Sequence, residues 1–253
     1  MTGFETLDKP DLAAAPRIRN RIDAIRVLAK EGRGTQCVVG WIEAPFAEIC
    51  CLFGLMEILK LGRRPDWNAR IKALMRRVLP VQLEFAKMQI EAGADIIGAG
   101  DSAVSQIGPK RYQEACLDAT QELFRSIQKR APVLYHVCGD TSAVDREGRD
   151  MLELVASSGA SILDIDFQVD LAKAKQQIGN RVCIRGNVST SLLGSRMYEP
   201  DFIVREVAQT IEAGKPNGRY MFAAGCEWPW EPLDIAARNM GIAKALNDKL
   251  GGY

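Results

Sequence analysis

Residues 91–102 read Glu91-Ala92-Gly93-Ala94-Asp95-Ile96-Ile97-Gly98-Ala99-Gly100-Asp101-Ser102. A helical pattern ends at a glycine, an apolar run follows at once, and glycine with polar residues closes it. Glycine just past a helix supplies its C-terminal cap, so the stretch predicts a helix, a cap, a strand from Asp95 to Ala99 and a polar loop. Ser157-Ser158-Gly159-Ala160-Ser161 nearly repeats the cap. Short apolar runs that alternate with longer amphipathic segments are the pattern of a parallel sheet with crossover helices.

Working outward, the same reading predicts five more strands: Gln36 to Trp41, Val133 to Val137, Ser161 to Ile165, Val182 to Arg185 and Tyr220 to Ala224. Helices are expected over Pro16 to Lys30, Trp67 to Glu91, Pro109 to Arg130, Arg149 to Ser158, Asp170 to Ile178, Pro200 to Ala213 and Pro232 to Leu250. Glycine and polar residues directly follow three strands, in Ala99-Gly100-Asp101-Ser102, Cys138-Gly139-Asp140-Thr141 and Arg185-Gly186-Asn187-Val188. In a (β/α)₈ barrel of the TIM type such loops form the active face. The fold expected is therefore an α/β barrel in a single domain, residues 1–253, with 1–35 a helical N-terminal segment. A full barrel needs eight strands, two more than the pattern offers. Either two strands escape the pattern, or the chain is N-terminally shortened, or a partner chain completes the sheet; an open parallel edge should be covered or dimerise, so a homo-oligomer is one expectation.

The 253 residues carry 33 basic and 32 acidic side chains, a formal charge of +1, which gives no bulk attraction to nucleic acid or to an anionic membrane. Met1-Thr2-Gly3-Phe4-Glu5 lacks the build of a signal peptide and no apolar stretch is long enough to span a bilayer, so a cytoplasmic location is expected. Seven cysteines in apolar segments are not a disulfide framework. No phosphate-binding glycine loop is present, and Arg63-Arg64 and Arg76-Arg77 read as solvated helical surface.

His136 is the only histidine, and Cys138 stands two residues on in the same strand exit. Residues i and i+2 of a strand share a face, so imidazole and thiol converge on one volume. Cys226, beside Glu227 after Tyr220 to Ala224, offers a third soft ligand. Two thiolates and an imidazole suit zinc, and three protein ligands leave the fourth position open, as in catalytic sites. The alternative is a hydrogen-bonded core histidine with two packed cysteines. Asp101, Asp140, Asp164, Asp166, Asn187 and Glu227 crowd the strand exits as a fourth ligand, hydrogen-bond partners or substrate contacts, with Asp140, Asp166, Asn187 and Glu227 singled out as catalytic candidates. Glu43 also follows a strand and reads as a further polar group at the mouth or as an ordinary loop residue, and Trp228-Pro229-Trp230 as an aromatic wall or as packing.

The order of Gln89-Ile90-Glu91-Ala92-Gly93-Ala94-Asp95, His136-Val137-Cys138-Gly139-Asp140, Asp170-Leu171-Ala172-Lys173-Ala174-Lys175, Arg185-Gly186-Asn187-Val188 and Ala224-Gly225-Cys226-Glu227 resembles the uroporphyrinogen decarboxylase superfamily. The resemblance is closest to its cobalamin-dependent methyltransferase branch, the methylcobalamin:thiol or coenzyme M type. It implies that His136, Cys138 and Cys226 bind Zn²⁺, which activates a small thiol for methyl exchange with a methylcobalamin corrinoid on a carrier protein, in either direction. It also implies that the six strands are the third to eighth of the barrel. The decarboxylase members carry an arginine-rich motif and an essential aspartate further upstream and lack the zinc pair. A metal-free carboxy-lyase and a non-catalytic, truncated partner subunit are the alternatives.

Overall fold

The computed structural model describes residues 10–252. The reading of Met1 to Glu5 lies outside them, as do the ends of the single domain assigned to 1–253. Six strands, β1 (Val39–Glu43), β2 (Ile96–Asp101), β3 (Val133–Val137), β4 (Ile162–Ile165), β5 (Cys183–Val188) and β6 (Tyr220–Ala224), pair side by side in chain order, all parallel. The helices are α1 (Pro16–Glu31), α2 (Pro45–Phe53), α3 (Leu55–Lys60), α4 (Trp67–Glu91), α5 (Gly108–Arg111), α6 (Leu117–Ile127), α7 (Met151–Ala156), α8 (Leu171–Ile178), α9 (Thr190–Leu193), α10 (Pro200–Gly214) and α11 (Leu233–Leu250). The expected glycine caps are present: Gly93 at φ +109° and Gly159 at φ +91° turn α4 and α7 into the strands that follow.

Register explains where the core sits. Ile42, Ala99, Tyr135, Leu163, Ile184 and Tyr220 stand side by side across the six strands and are all buried in one apolar cluster with the helices. Burying each of the larger members contributes about 1.5–3 kcal/mol. The next position along, on the opposite face, reads Glu43, Gly100, His136, Asp164 and Arg185. Residues of all six strands line one cavity on this inner face, so the sheet wraps around it in the manner of a barrel. Among the described residues β1 and β6 do not pair with each other, and the barrel stays open there.

Several boundaries differ from expectation for local reasons. The first strand starts at Val39 rather than Gln36, because the Asp95 carboxylate takes the Val38 N–H at 2.8 Å and the ladder begins after it. Glu43 is therefore the last residue of β1, not a loop residue. β2 and β5 run on through Asp101 and Val188. The helix expected over Pro109 to Arg130 is divided by a π-turn at Tyr112–Cys116, and α2, α3 and α9 were not anticipated. Asp170, at the head of one quoted motif, caps α8 by accepting the Lys173 N–H at 3.1 Å.

Candidate metal centre

His136 lies near the end of β3 and Cys138 just beyond it. Cys138 is held from three sides: its N–H donates to the Asp101 carbonyl at 3.1 Å, its carbonyl accepts from Ser105 Oγ at 2.8 Å, and the next N–H, of Gly139, donates to Asp166 Oδ2 at 2.9 Å. Gly139 sits at φ +95°, and a Cβ there would come 2.7 Å from Ser105 Oγ. Only glycine makes this turn. Cys226 arrives from β6 because Gly225 packs on the backbone of Phe167, where a Cβ would lie 2.4 Å from the Phe167 nitrogen.

The result is that His136, Cys138 and Cys226 each present one ligand atom within 4.8 Å of the others. The two sulfurs are 3.8 Å apart, and all seven cysteines are free. Behind the imidazole, Nδ1 faces Asp164 Oδ2 at 3.2 Å, which leaves Nε2 as the nitrogen available to an ion. Arg185 holds the same Asp164 oxygen at 2.7 Å. Burial alone would lower the imidazolium, but Asp164 and then Cys226 outweigh it and hold His136 up at about 9. Burial, with Cys226 and Asp166 beside it, pushes the Cys138 thiol up to about 12. These are groups that keep their protons until a cation replaces them.

The other candidates fall into distinct places. Asp166 is buried, with Oδ1 accepting from Gln168 N–H at 2.9 Å and Oδ2 facing Cys138 Sγ at 3.7 Å. Asn187 turns away from the cavity and donates to the carbonyls of Asp166 at 3.0 Å and Val169 at 2.6 Å; it fixes the loop that carries Asp166. Asp140 is exposed, accepts the Ser142 N–H at 2.8 Å and is not among the cavity-lining residues. Glu227 and Trp228 line the cavity, whereas Trp230 faces solvent. Asp101 lies buried at the end of β2, where burial pushes its carboxyl up to about 7 against hydrogen bonds from Ala103, Val104 and Tyr135. Arg63, Arg64, Arg76 and Arg77 are exposed, as expected.

The cavity, about 780 Å³, takes in Glu43 of β1 and also residues that the strand-exit reading passed over: Trp41 on β1, and Met240, Lys244 and Asn247 on α11. Trp41-x-Glu43 pairs in register with Gly98-x-Gly100. That matched period of two is a signal the sequence carries.

Comparison with known proteins places this geometry. The family model for uroporphyrinogen decarboxylase (URO-D) matches residues 1–237. The uroporphyrinogen decarboxylase of Geobacter sulfurreducens is 28% identical over 239 residues, covering 90% of this chain and 66% of its own length. That of Syntrophotalea carbinolica is 29% identical over 206 residues, covering 78% and 56%. The chain thus spans somewhat less than two thirds of these relatives. Among solved structures, a methyltransferase from Methanosarcina mazei superposes with a TM-score of 0.82 at 21% identity, over 98% of this chain and 69% of that one. A B12-independent methionine synthase from Shewanella gives 0.62 at 13%, over 90% and 66%. These two likenesses show the fold. No helix among the described residues is long and apolar enough to cross a membrane.

Proposed function

The chain belongs to the uroporphyrinogen decarboxylase family, and from that premise we propose that it is a zinc-dependent methyltransferase moving a methyl group between a small thiol and a corrinoid on a partner protein. The observation that carries this reading is the spacing of the trio. Two thiolates on one tetrahedral zinc, each at about 2.3 Å, stand about 3.8 Å apart, the separation found between Cys138 and Cys226; a disulfide would hold them at about 2.05 Å. The donor set is soft, and the imidazole is anchored through its second nitrogen by a buried carboxylate, the usual support of a zinc-ligating histidine.

When bound there, zinc supplies a Lewis acid that keeps a thiol substrate ionised and nucleophilic near neutral pH. The chain's own residues prepare the place. Asp164 orients His136, Arg185 neutralises Asp164, and Asp166 with Ser105 fixes the Cys138 peptide. Asn187 holds the Asp166 backbone in turn, so that neither His136 nor the Cys138 peptide can move away without breaking hydrogen bonds. The cavity in front has room for a small substrate. The corrinoid carrier rests on the family resemblance.

The names of the curated relatives favour a second reading, a metal-free carboxy-lyase acting on a porphyrinogen. A substrate with many carboxylates needs cations around it. Among the described residues the cavity offers Arg185, Lys244 and His136, each paired with an aspartate, against Glu43, Asp164, Glu227 and the half-protonated Asp101. That balance supports methyl transfer. Metal analysis of the purified protein, native and Cys138→Ser, is the test, followed by methyl transfer from methylcobalamin to a panel of thiols. Stoichiometric zinc lost on substitution supports the reading, and a metal-free native protein with the trio reduced sinks it. Zinc without turnover would identify a non-catalytic partner subunit.

A further inference from the structure

The cavity has a second side that the metal chemistry leaves unused. Trp41 and Glu43 face inward from β1, in register with Gly98 and Gly100 of β2. A Cβ at Gly98 would lie 2.2 Å from the Trp41 ring, and one at Gly100 would lie 3.1 Å from that ring and 3.0 Å from Glu43 Oε2. Both β2 positions must lack a side chain for the indole to rest on the strand and for the carboxylate to lean across it. One face of the ring is spent on backbone. Ring and carboxylate meet over Gly100, whose neighbour on the far side is His136.

Charge points the same way. Glu43 has no cation within ion-pair distance among the described residues and accepts a hydrogen bond from Trp41, while His136 and Arg185 both lie on Asp164, at 3.2 and 2.7 Å, and the exposed Lys244 lies on Asp248 at 2.5 Å. An indole face and a carboxylate without an ion-pair partner together favour a cation that carries N–H donors. An anionic tail on this side would meet the Glu43 carboxylate, with Glu227 also on the cavity wall.

We propose that this side of the cavity binds an ammonium group, so that the small substrate is an aminothiol with its nitrogen against Trp41 and Glu43 and its sulfur at His136, Cys138 and Cys226. The thiol end rests on the zinc reading above; the ammonium end does not. Strands β1 and β3 are two spacings apart, about 10 Å, and the Glu43 carboxylate already reaches over the strand between them. About one spacing, ~5 Å, remains, which a chain of two or three carbons spans.

Two titrations test this. In the metal-free protein, n-propylamine and propionate are followed by tryptophan fluorescence; the amine should bind about tenfold more tightly than the acid, and Glu43→Gln should abolish the difference. In Co²⁺-loaded protein, cysteamine and 3-mercaptopropionate are followed by the sulfur-to-cobalt charge-transfer band. Cysteamine should be favoured by a similar factor, which collapses in Glu43→Gln at unchanged cobalt content. Propionate equal to or tighter than propylamine in the native protein, or no preference between the two thiols, overturns the proposal without reliance on any variant. Selective amine binding with no thiol perturbing the cobalt spectrum supports the ammonium site and refutes the metal reading instead.

Discussion

Binding of a metal at the trio must displace the protons its ligands hold, and the structure sets how many. His136 is held up at about 9 because Asp164 and Cys226 outweigh the effect of burial, and burial with its anionic neighbours takes Cys138 up to about 12. Both are protonated at pH 7. The apparent zinc affinity should therefore rise by at least about two powers of ten per pH unit between pH 7 and 8. Asp164→Asn removes the larger of the two groups that hold the imidazole up against burial, so His136 moves down toward neutrality in that window. The slope falls by up to about one. Above pH 9 the variant should bind roughly 10–100-fold more weakly, because the imidazole has lost its carboxylate anchor. Proton competition at His136 costs about 3 kcal/mol at pH 7, so relief of competition and loss of the anchor nearly cancel there, and the slope alone separates them. Competition against a chromophoric chelator at half-unit pH steps measures it. Equal slopes in the two proteins, or a native slope below one, would refute the coupling of His136 to Asp164.

Three further outcomes follow from the same geometry. Burial pushes Asp101 up to about 7, above its unfolded value of about 3.9, so its contribution to stability is full below that value and fades as pH rises through 7; Asp101→Asn should flatten this part of the urea-midpoint profile between pH 5 and 8, and an unchanged profile would contradict a buried, partly protonated carboxyl. Gly139→Ala meets both a φ of +95° and Ser105 Oγ at 2.7 Å, and should cost about 1–3 kcal/mol in urea unfolding together with lower zinc occupancy; a loss under about 0.5 kcal/mol would show the turn to be tolerant. Asn187→Ala orphans the Val169 carbonyl and leaves that of Asp166 with the Val169 N–H alone, and should lower stability by about 1–3 kcal/mol while weakening zinc binding through the loosened Asp166 loop, with calorimetry and chelator competition as the readouts.

The sequence pattern located β3 and β6 to the residue, as short apolar runs closed by Cys138-Gly139 and Gly225, and α4 from end to end by its helical period. It also picked out the trio, because the strand period alone puts His136 and Cys138 on one face. What it could not supply was contact. Cys226 meets Cys138 only through the seating of Gly225 on Phe167. Asp166 and Asn187 were legible as polar groups at strand exits, but the pattern does not say which way a side chain turns, and both turn toward backbone. Helix α2 escaped because Pro45, Phe46, Ala47, Ile49 and Cys50 are all buried; a helix that is apolar nearly all round has no amphipathic period to read. Glu43 was legible as a polar group near the mouth, but its place inside β1 was not, because the strand's start depends on a side-chain hydrogen bond from far along the chain.

X-ray absorption at the zinc edge, on the protein as purified and again with 2-mercaptoethanol, reaches the central claim most directly. The account predicts one zinc per chain with two sulfurs at about 2.3 Å and a nitrogen at about 2.0 Å, the sulfur count rising to three when the thiol is added. A reduced protein without zinc, or a sulfur count that the thiol leaves unchanged, would contradict it.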